Sequence, residues 1–254
     1  LTPNIEHLTL GEHELKMILR GEFQGNHLNK LKVVLALYIK KLEVYGGSFQ
    51  EIFCFDSVNA DEGGLLSQLK VLCSDSLPEV VSIGSENSRI VPFLRNLKTL
   101  EVISCLSSIN LVPCTVSFSN LTDLQVVHCN SLLYLFTSST AKSLAQLKTM
   151  DIGWCDSIEE VVSKEGDESH ENEIIFKELI CLKLYYLPRL GSFYKGSLLL
   201  SFPSLEALAV INCDMMETFC AGTVKTDKLL EVQFDDEEVP LETDLNSAIQ
   251  NLYY

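Results

Sequence analysis

Four stretches of the chain share one spacing of apolar positions, Leu-x-x-Leu-x-Val-x-x-Cys, with small substitutions. Around its second and third positions apolar and polar residues alternate, which is the period of a short strand with one buried face. A frame that returns after roughly 24 to 32 residues indicates one small unit repeated along the chain. The four copies are Leu97/Leu100/Val102/Cys105, Leu121/Leu124/Val126/Cys129, Leu147/Met150/Ile152/Cys155 and Leu205/Leu208/Val210/Cys213.

Weaker copies extend the frame toward both ends of the chain and place its second apolar position at 69, 100, 124, 150, 182, 208 and 232. We therefore predict an α/β repeat fold. Stacked strands form a parallel ladder on the concave face of a solenoid, and irregular or short helical returns fill the interior. The weaker copies are Leu66/Leu69/Val71/Ser74, Leu179/Leu182/Leu184/Leu187, Ile5/Leu8/Leu10 and Leu229/Val232/Phe234.

The spacing of the repeats divides the chain into three parts. Residues 1–60 hold degenerate repeats with an irregular junction near 35–40, because Leu28/Leu31/Val33 and Ile39/Leu42/Val44 both fit the frame but stand only 11 residues apart. A coil needs more chain than that, so either one copy is accidental or material has been lost between them. Residues 61–234 carry regular repeats with an acidic loop at 163–173. Residues 235–254 form an acidic linker and a capping helix starting at Thr243 or Asp244, or alternatively a frayed tail.

The composition indicates which cellular compartment and which class of partner suit this chain. A net charge of -16 disfavours nucleic acid and favours a basic protein partner. Four of the nine cysteines occupy one repeat position, which indicates small buried side chains in a reducing compartment. The longest apolar runs are too short to cross a bilayer. We therefore expect a cytoplasmic piece of a longer protein with no membrane span.

Residues that could support catalysis or hold a cofactor do not form a recognisable pattern. The five histidines are scattered, and none stands in a His-Glu-x-x-His arrangement or beside a cysteine pair at zinc spacing. The sequence has no Gly-x-Ser-x-Gly elbow either. We therefore expect no catalytic residue, no cofactor and no metal in this chain.

The outward positions of the predicted ladder form columns that run from one repeat to the next. Their middle gathers aromatic, apolar and charged side chains, which is typical of a protein-binding patch. The alternative for any one ring is local packing along the ladder edge. The candidate protein-binding residues are Val127, His128, Asp151, Trp154, Lys183, Tyr185, Tyr186 and Ile211.

Leucine-rich repeats have the frame Leu-x-x-Leu-x-Leu-x-x-Asn/Cys, and this chain carries its Cys-bearing version. Beyond the frame, the whole chain resembles the repeat region of plant intracellular disease-resistance receptors of the coiled-coil nucleotide-binding leucine-rich-repeat class. The resemblance implies a leucine-rich-repeat solenoid shaped as a curved horseshoe. The stretches that carry it are residues 118–129, 132–136, 143–155, 158–162, 202–213 and 244–249.

The resemblance also implies two functions. Such a region recognises a pathogen effector or a guarded host protein, and it restrains the neighbouring nucleotide-binding domain of the same receptor. This chain has no Gly-x-x-x-x-Gly-Lys-Ser/Thr loop, so only the recognition and regulatory part is implied. The rival hypothesis is the substrate-recognition repeat region of an F-box-type ubiquitin ligase subunit. A secreted inhibitor of cell-wall enzymes fits less well, because Gly-x-Ile-Pro turns and terminal disulfides are not apparent.

Overall fold

The computed structural model describes residues 7–10, 40–46, 51–53, 68–84, 94–107, 111–112, 116–165, 173–242 and 244–251. With strands numbered along the chain, ten of them form one sheet in the order β1-β2-β4-β6-β7-β9-β12-β15-β17-β18. Neighbouring strands pair in parallel except β17 and β18, which are antiparallel. The strands are β1 (His7–Leu10), β2 (Lys41–Tyr45), β4 (Val71–Asp75), β6 (Thr99–Ile103), β7 (Asp123–Val127), β9 (Thr149–Gly153), β12 (Cys181–Tyr185), β15 (Ala207–Ile211), β17 (Glu231–Phe234) and β18 (Glu237–Pro240).

The register of this sheet follows the repeat frame. The second apolar position of each copy aligns with that of the next, as in Leu100 with Leu124 and Leu124 with Met150. Parallel neighbours need a connection that leaves the sheet and returns, so each rung is one coil of a solenoid. The predicted fold class, a repeat solenoid with a parallel ladder, is confirmed.

One predicted copy is out of register. The frame Leu66/Leu69/Val71/Ser74 is wrong by three residues, because Leu72 is the residue that aligns with Leu42 on one side and Leu100 on the other. Leu72 and Ser74 therefore point inward, and buried Leu77 takes the position that cysteine occupies elsewhere. Leucines at 66, 69 and 72 allow the Leu-x-x-Leu step to be placed twice, and only the neighbouring rungs decide between the placements.

At the amino-terminal end, β2 contains Leu42 and Val44 of the copy Ile39/Leu42/Val44, and both of its edges are taken by β1 and β4. The competing copy at residues 28–33, positions 35–39 of the junction predicted near 35–40, and residues 166–172 of the acidic loop lie outside the described residues.

In the part of the chain that the structure describes, the return legs contain more short parallel strands and fewer helices than the sequence predicts. These strands form three small sheets: β3 (Glu51–Phe53) with β5 (Ser82–Gly84); β8 (Phe136–Thr137), β10 (Glu160–Ser163) and β13 (Ser192–Tyr194); β11 (Glu173–Ile175), β14 (Leu199–Phe202) and β16 (Val224–Thr226). One return does contain a helix, α1 (Ser138–Lys142). Its N-cap is Thr137, whose hydroxyl accepts from the Thr140 amide at 3.4 Å.

Phenylalanines from two parts of the repeat fill the interior between the sheets. Phe176 stacks on Phe202 with centroids 5.1 Å apart, and Phe193 stacks on Phe219 at 4.8 Å. The two stacks meet edge to face, with Phe193 and Phe202 5.8 Å apart. Both arrangements are favoured by the ring quadrupole, so these contacts stabilise the packing of one coil on the next.

The carboxyl-terminal end of the ladder is closed by two elements. The acidic stretch expected to be a linker is instead the turn at Asp235 and the first half of β18, which covers the outer edge of β17. Helix α2 (Leu245–Gln250) follows at the place where the sequence predicts a capping helix, with Asp244 as its N-cap and with Leu245 and Ile249 buried.

Asn246 in α2 is hydrogen-bonded to the last return leg through four contacts. Its Oδ1 accepts from the Thr218 hydroxyl at 3.0 Å and from the amides of Phe219 and Cys220 at 3.0 and 2.9 Å. Its Nδ2 donates to the Gly222 carbonyl at 3.0 Å. This one side chain satisfies backbone groups that a further coil would otherwise have to pair.

Candidate protein-binding face

We call the outward positions of the parallel rungs, together with the residue that follows each strand, the ladder face. Within β6, Leu100 and Val102 are buried, whereas Glu101 and Ile103 face outward and remain partly exposed. This alternation follows from the two-residue period of a strand. Since the rungs are in register, outward residues of equal rank lie in columns across the ladder.

The residue after each strand has a left-handed backbone conformation. From Ser76 to Asn212 this position lies directly before the buried Cys or Leu of the frame. Its amide still donates to the next rung, as from Trp154 to the Tyr185 carbonyl at 3.0 Å. Bulky residues rarely adopt positive φ, so the sequence has no signal for this turn. The column consists of Gly46, Ser76, Ser104, His128, Trp154, Tyr186, Asn212 and Asp235, with φ between 47° and 57°.

Three aromatic rings in this left-handed column stack on one another. Trp154 is parallel to His128 at 5.1 Å and to Tyr186 at 5.3 Å, and the ring of Tyr185 meets it edge-on at 4.6 Å. We call these four side chains the aromatic band. Trp154 and Tyr186 nevertheless stay 41% and 46% exposed, so their edges face solvent although their faces are partly covered.

Gly153 makes room for the Tyr185 ring in this band. A Cβ at residue 153 would overlap that ring, so only glycine allows the ring to lie across the neighbouring rung. The phenol of Tyr185 also hydrogen-bonds to Asp151. Burial, together with this bond to a carboxylate, raises the pKa of Tyr185 above its usual value of about 10.

Beside the aromatic band, a groove of about 260 Å³ crosses β6, β7, β9 and β12. Both carboxylate oxygens of Asp123 in this groove lie at hydrogen-bonding distance from a threonine hydroxyl, Thr149 at 2.8 Å and Thr122 at 2.7 Å. Asp151 Oδ1, in contrast, is buried without a hydrogen-bond partner among the described residues. The groove is lined by Thr99, Glu101, Asp123, Leu124, Gln125, Thr149, Met150, Asp151, Cys181 and Lys183.

At the amino-terminal side of the groove, Glu101 accepts a hydrogen bond from the Cys73 thiol at 3.0 Å. Burial, and then the adjacent Glu101 carboxylate, raise the pKa of Cys73 to about 12. Cys73 is therefore a neutral thiol donor at physiological pH. It is poorly suited to act as a nucleophile, because the thiolate is the reactive form.

The structure brings most of the sequence-predicted site residues together. His128, Trp154, Tyr185 and Tyr186 are in direct ring contact, and Asp151 joins them through Tyr185. Lys183 is exposed and lines the groove with Asp151.

Two predicted residues lie at the margins. Val127 points outward but is only 7% exposed, so little of its surface is accessible to a partner. Ile211 aligns with Tyr185 in the neighbouring strand and is half-buried.

Several groove residues are not among the sequence candidates. Asp123 and Thr149 occupy the first outward position of their strands, two residues before Gln125 and Asp151. Extending the strand alternation one step toward the amino terminus would have found them. Glu101 lies in the same outward column as Asp151. It is not among the sequence candidates because no aromatic residue stands beside it in the sequence.

The frame cysteines are interior donors. Cys105, Cys129, Cys155 and Cys213 are at most 3% exposed, and the Cys213 thiol donates to the Ile211 carbonyl at 3.5 Å. Burial raises the pKa of Cys213 to about 12. In the part of the chain that the structure describes, no group of three or more His, Cys, Asp or Glu side chains could hold a metal ion. No helix described there is long and apolar enough to cross a membrane.

Stacked coils with a Leu-x-x-Leu-x-Val-x-x-Cys frame and a parallel ladder define a leucine-rich-repeat solenoid. Residues 112–232 match the family described as plant disease resistance protein RPS2-like, leucine-rich repeats. This stretch is thus a leucine-rich-repeat region of the plant disease-resistance type, as the sequence resemblance predicts.

Two relatives from Arabidopsis thaliana are similar over more of the chain. The disease resistance protein RPS5 is 28% identical over 167 residues, which cover 58% of this chain and 18% of the relative. A probable disease resistance protein is 31% identical over 199 residues, which cover 75% of this chain and 25% of the relative. The chain thus spans about a fifth to a quarter of the length of these relatives. No solved structure matches it.

Proposed function

We propose that this chain is the protein-recognition and autoregulatory repeat region of a plant innate-immune receptor. It binds proteins through the ladder face and performs no catalysis. Its partners are a pathogen effector or a guarded host protein, and the nucleotide-binding domain of the same receptor, all met in the cytoplasm. The disease-resistance relatives support this function over the F-box alternative.

The observation that carries the proposal is the exposed aromatic band. Tyr and Trp are enriched among residues that dominate binding energy, and here Trp154 and Tyr186 are held rigidly at the middle of an open sheet face. Rings that are already ordered lose little conformational entropy when a partner docks. Packing alone would not require their edges to face solvent.

The restraint on the nucleotide-binding domain would be partly electrostatic. With a net charge of -16, the chain attracts a basic neighbouring surface. Exposed charge pairs are screened by salt. Association of the repeats with the nucleotide-binding domain should therefore weaken as ionic strength rises, and salt-insensitive association would contradict this part of the proposal.

The test compares two double substitutions in a full-length receptor that carries these repeats. Trp154→Ala with Tyr186→Ala should reduce co-purification with the nucleotide-binding domain, or with the recognised protein, about tenfold or more. Leu133→Ala with Met215→Ala is the matched control. Leu133 and Met215 are 46% and 59% exposed on the return side, away from the ladder face. Equal binding by both variants, with folding verified by circular dichroism, would refute the proposal.

A further inference from the structure

We propose that the ladder face takes an extended segment of the partner protein that places an arginine or lysine in the groove and an apolar side chain against the aromatic band. This inference rests on the proposed function, because it specifies what the same face binds. The two surfaces belong to the same strands. Asp151 in the groove and Trp154 in the band are three residues apart, roughly 10 Å along the chain. Two or three residues of an extended segment bridge that distance.

The charges of the groove select a cation. Glu101, Asp123 and Asp151 line it, against the single ammonium of Lys183. Both carboxylate oxygens of Asp123 already have a threonine hydroxyl as a neighbour. Asp151 is oriented by Tyr185, and its Oδ1 is left buried and unpaired among the described residues. An arriving guanidinium or ammonium would supply the missing donor, whereas a carboxylate or phosphate would meet repulsion.

The shape of the groove favours an extended occupant over a helix. It crosses four rungs, which at the spacing of neighbouring strands makes it roughly 14 Å long. About four or five extended residues fill such a length. A helix, roughly 10 Å in diameter, would rest on the groove rim and could reach Asp151 only with one long side chain.

Trp154 is the only tryptophan of the chain, so its fluorescence reports on the ladder face directly. The probes are two blocked nonapeptides, one of alternating arginine and leucine and one with glutamate in place of arginine. The first should shift the emission of the 254-residue protein saturably, and the second should not. Equal binding of both peptides, or binding of the arginine peptide detected by its anisotropy without any change at Trp154, would overturn the proposal.

Charge substitutions of opposite sign sharpen this test. Glu101→Gln should weaken binding of the arginine peptide by roughly two- to fivefold, and Lys183→Gln should strengthen it by a similar factor. Glu217→Gln is the matched control, since it changes net charge equally on an exposed return leg and should leave binding nearly unchanged. If Glu101→Gln behaves like this control, or if Lys183→Gln weakens binding, the groove does not select a cation.

The same variants separate this inference from the proposed function. If Trp154→Ala with Tyr186→Ala abolishes partner co-purification but Glu101→Gln and Lys183→Gln leave it unchanged, the ladder face binds protein without a cationic segment. In that case only the present inference fails. If the aromatic substitutions leave co-purification unchanged, the proposed function itself fails.

Discussion

The interior and the ladder face are made from alternate residues of the same strands, yet they follow different rules. In β7, Leu124 and Val126 are buried and repeat with little change from rung to rung. The outward column between them changes at every step: Glu101, Gln125, Asp151, Lys183, Ala209. Each inward residue packs against the adjacent coils, so its size is constrained, whereas an outward residue only has to tolerate its column neighbours. The comparison teaches that stability and recognition can change independently.

The largest expected effect lies in the interior. Phe193→Ala removes a ring that contacts Phe176, Phe202 and Phe219 and leaves a cavity, which should cost about 3–5 kcal/mol of unfolding free energy. Equilibrium urea unfolding followed by circular dichroism measures this. Phe193→Leu should cost clearly less, and a loss below about 1 kcal/mol for the alanine variant would mean that the coils are not held by this stack.

The next largest expected effect is a loss of stability at the carboxyl-terminal end of the ladder. Asn246→Ala leaves the amides of Phe219 and Cys220 and the carbonyl of Gly222 without their partner, which should cost about 2–3 kcal/mol. Hydrogen exchange should show faster exchange in α2 and around Phe219, with little change near Trp154. Gln250→Ala, at the exposed end of the same helix, is the control and should leave exchange unchanged. Uniformly faster exchange would indicate global unfolding instead of a local clamp.

On the ladder face the predicted effect is smaller and of opposite sign. Ser104 has φ of 55° and donates only its backbone amide to the next rung, so Ser104→Gly relieves backbone strain and should stabilise the fold by about 0.5–1 kcal/mol. Thermal unfolding of the two proteins measures the difference. Ser107→Gly, outside the left-handed column, is the matched control and should give no gain.

The smallest expected effect is electrostatic and comes from contacts between the side chains of β1 and β2. Hydrogen bonds from Lys41, His7 and Thr9 hold the pKa of Glu43 at about 2, below its ordinary value of about 4.3. Because the folded-state pKa is lowered, this stabilisation is complete above the ordinary pKa and is lost as pH falls toward about 2. The side chain is solvent-accessible, so we expect less than about 1 kcal/mol.

Thermal unfolding between pH 6 and pH 2 tests this last prediction. The native protein should be more stable than Glu43→Gln at pH 6, and the difference should shrink as pH falls from about 4 toward about 2. Glu231→Gln, an exposed residue of β17, is the matched control. A difference that persists unchanged at pH 2 would show that the ionised form of Glu43 does not pair the first two rungs.

Most of the ladder could be predicted from the sequence, because inward residues repeat with a fixed spacing. Leu100, Leu124, Met150, Leu182, Leu208 and Val232 are all in their predicted register. The copy at Leu72 was misplaced, since spacing alone cannot choose between leucines three residues apart. Return strands of two to four residues were missed because they are too short to show a period of two.

For the candidate site, the sequence predicts which residues face outward but not which of their side chains are in contact. Alternation places Asp151, Lys183 and Tyr185 outward, which the sequence shows directly. The stacking of Trp154 depends on the positive φ of its position, and nothing in a Gly-Trp-Cys sequence indicates that backbone conformation. The burial of Val127 and the pairing of Tyr185 with Asp151 depend on neighbouring rungs, so they became visible only in three dimensions.

Strand β18 has a consequence for how such an array can vary. A coil inserted or deleted between two parallel rungs meets the same frame on either side, so the ladder can lengthen or shorten internally. Beyond β17 no rung can be added in register, because the antiparallel β18 already occupies that edge and α2 is fastened beside it. Duplications that change the reach of the ladder face are thus excluded from its carboxyl-terminal edge. Each one on the carboxyl-terminal side would move the aromatic band one coil further from the closed end.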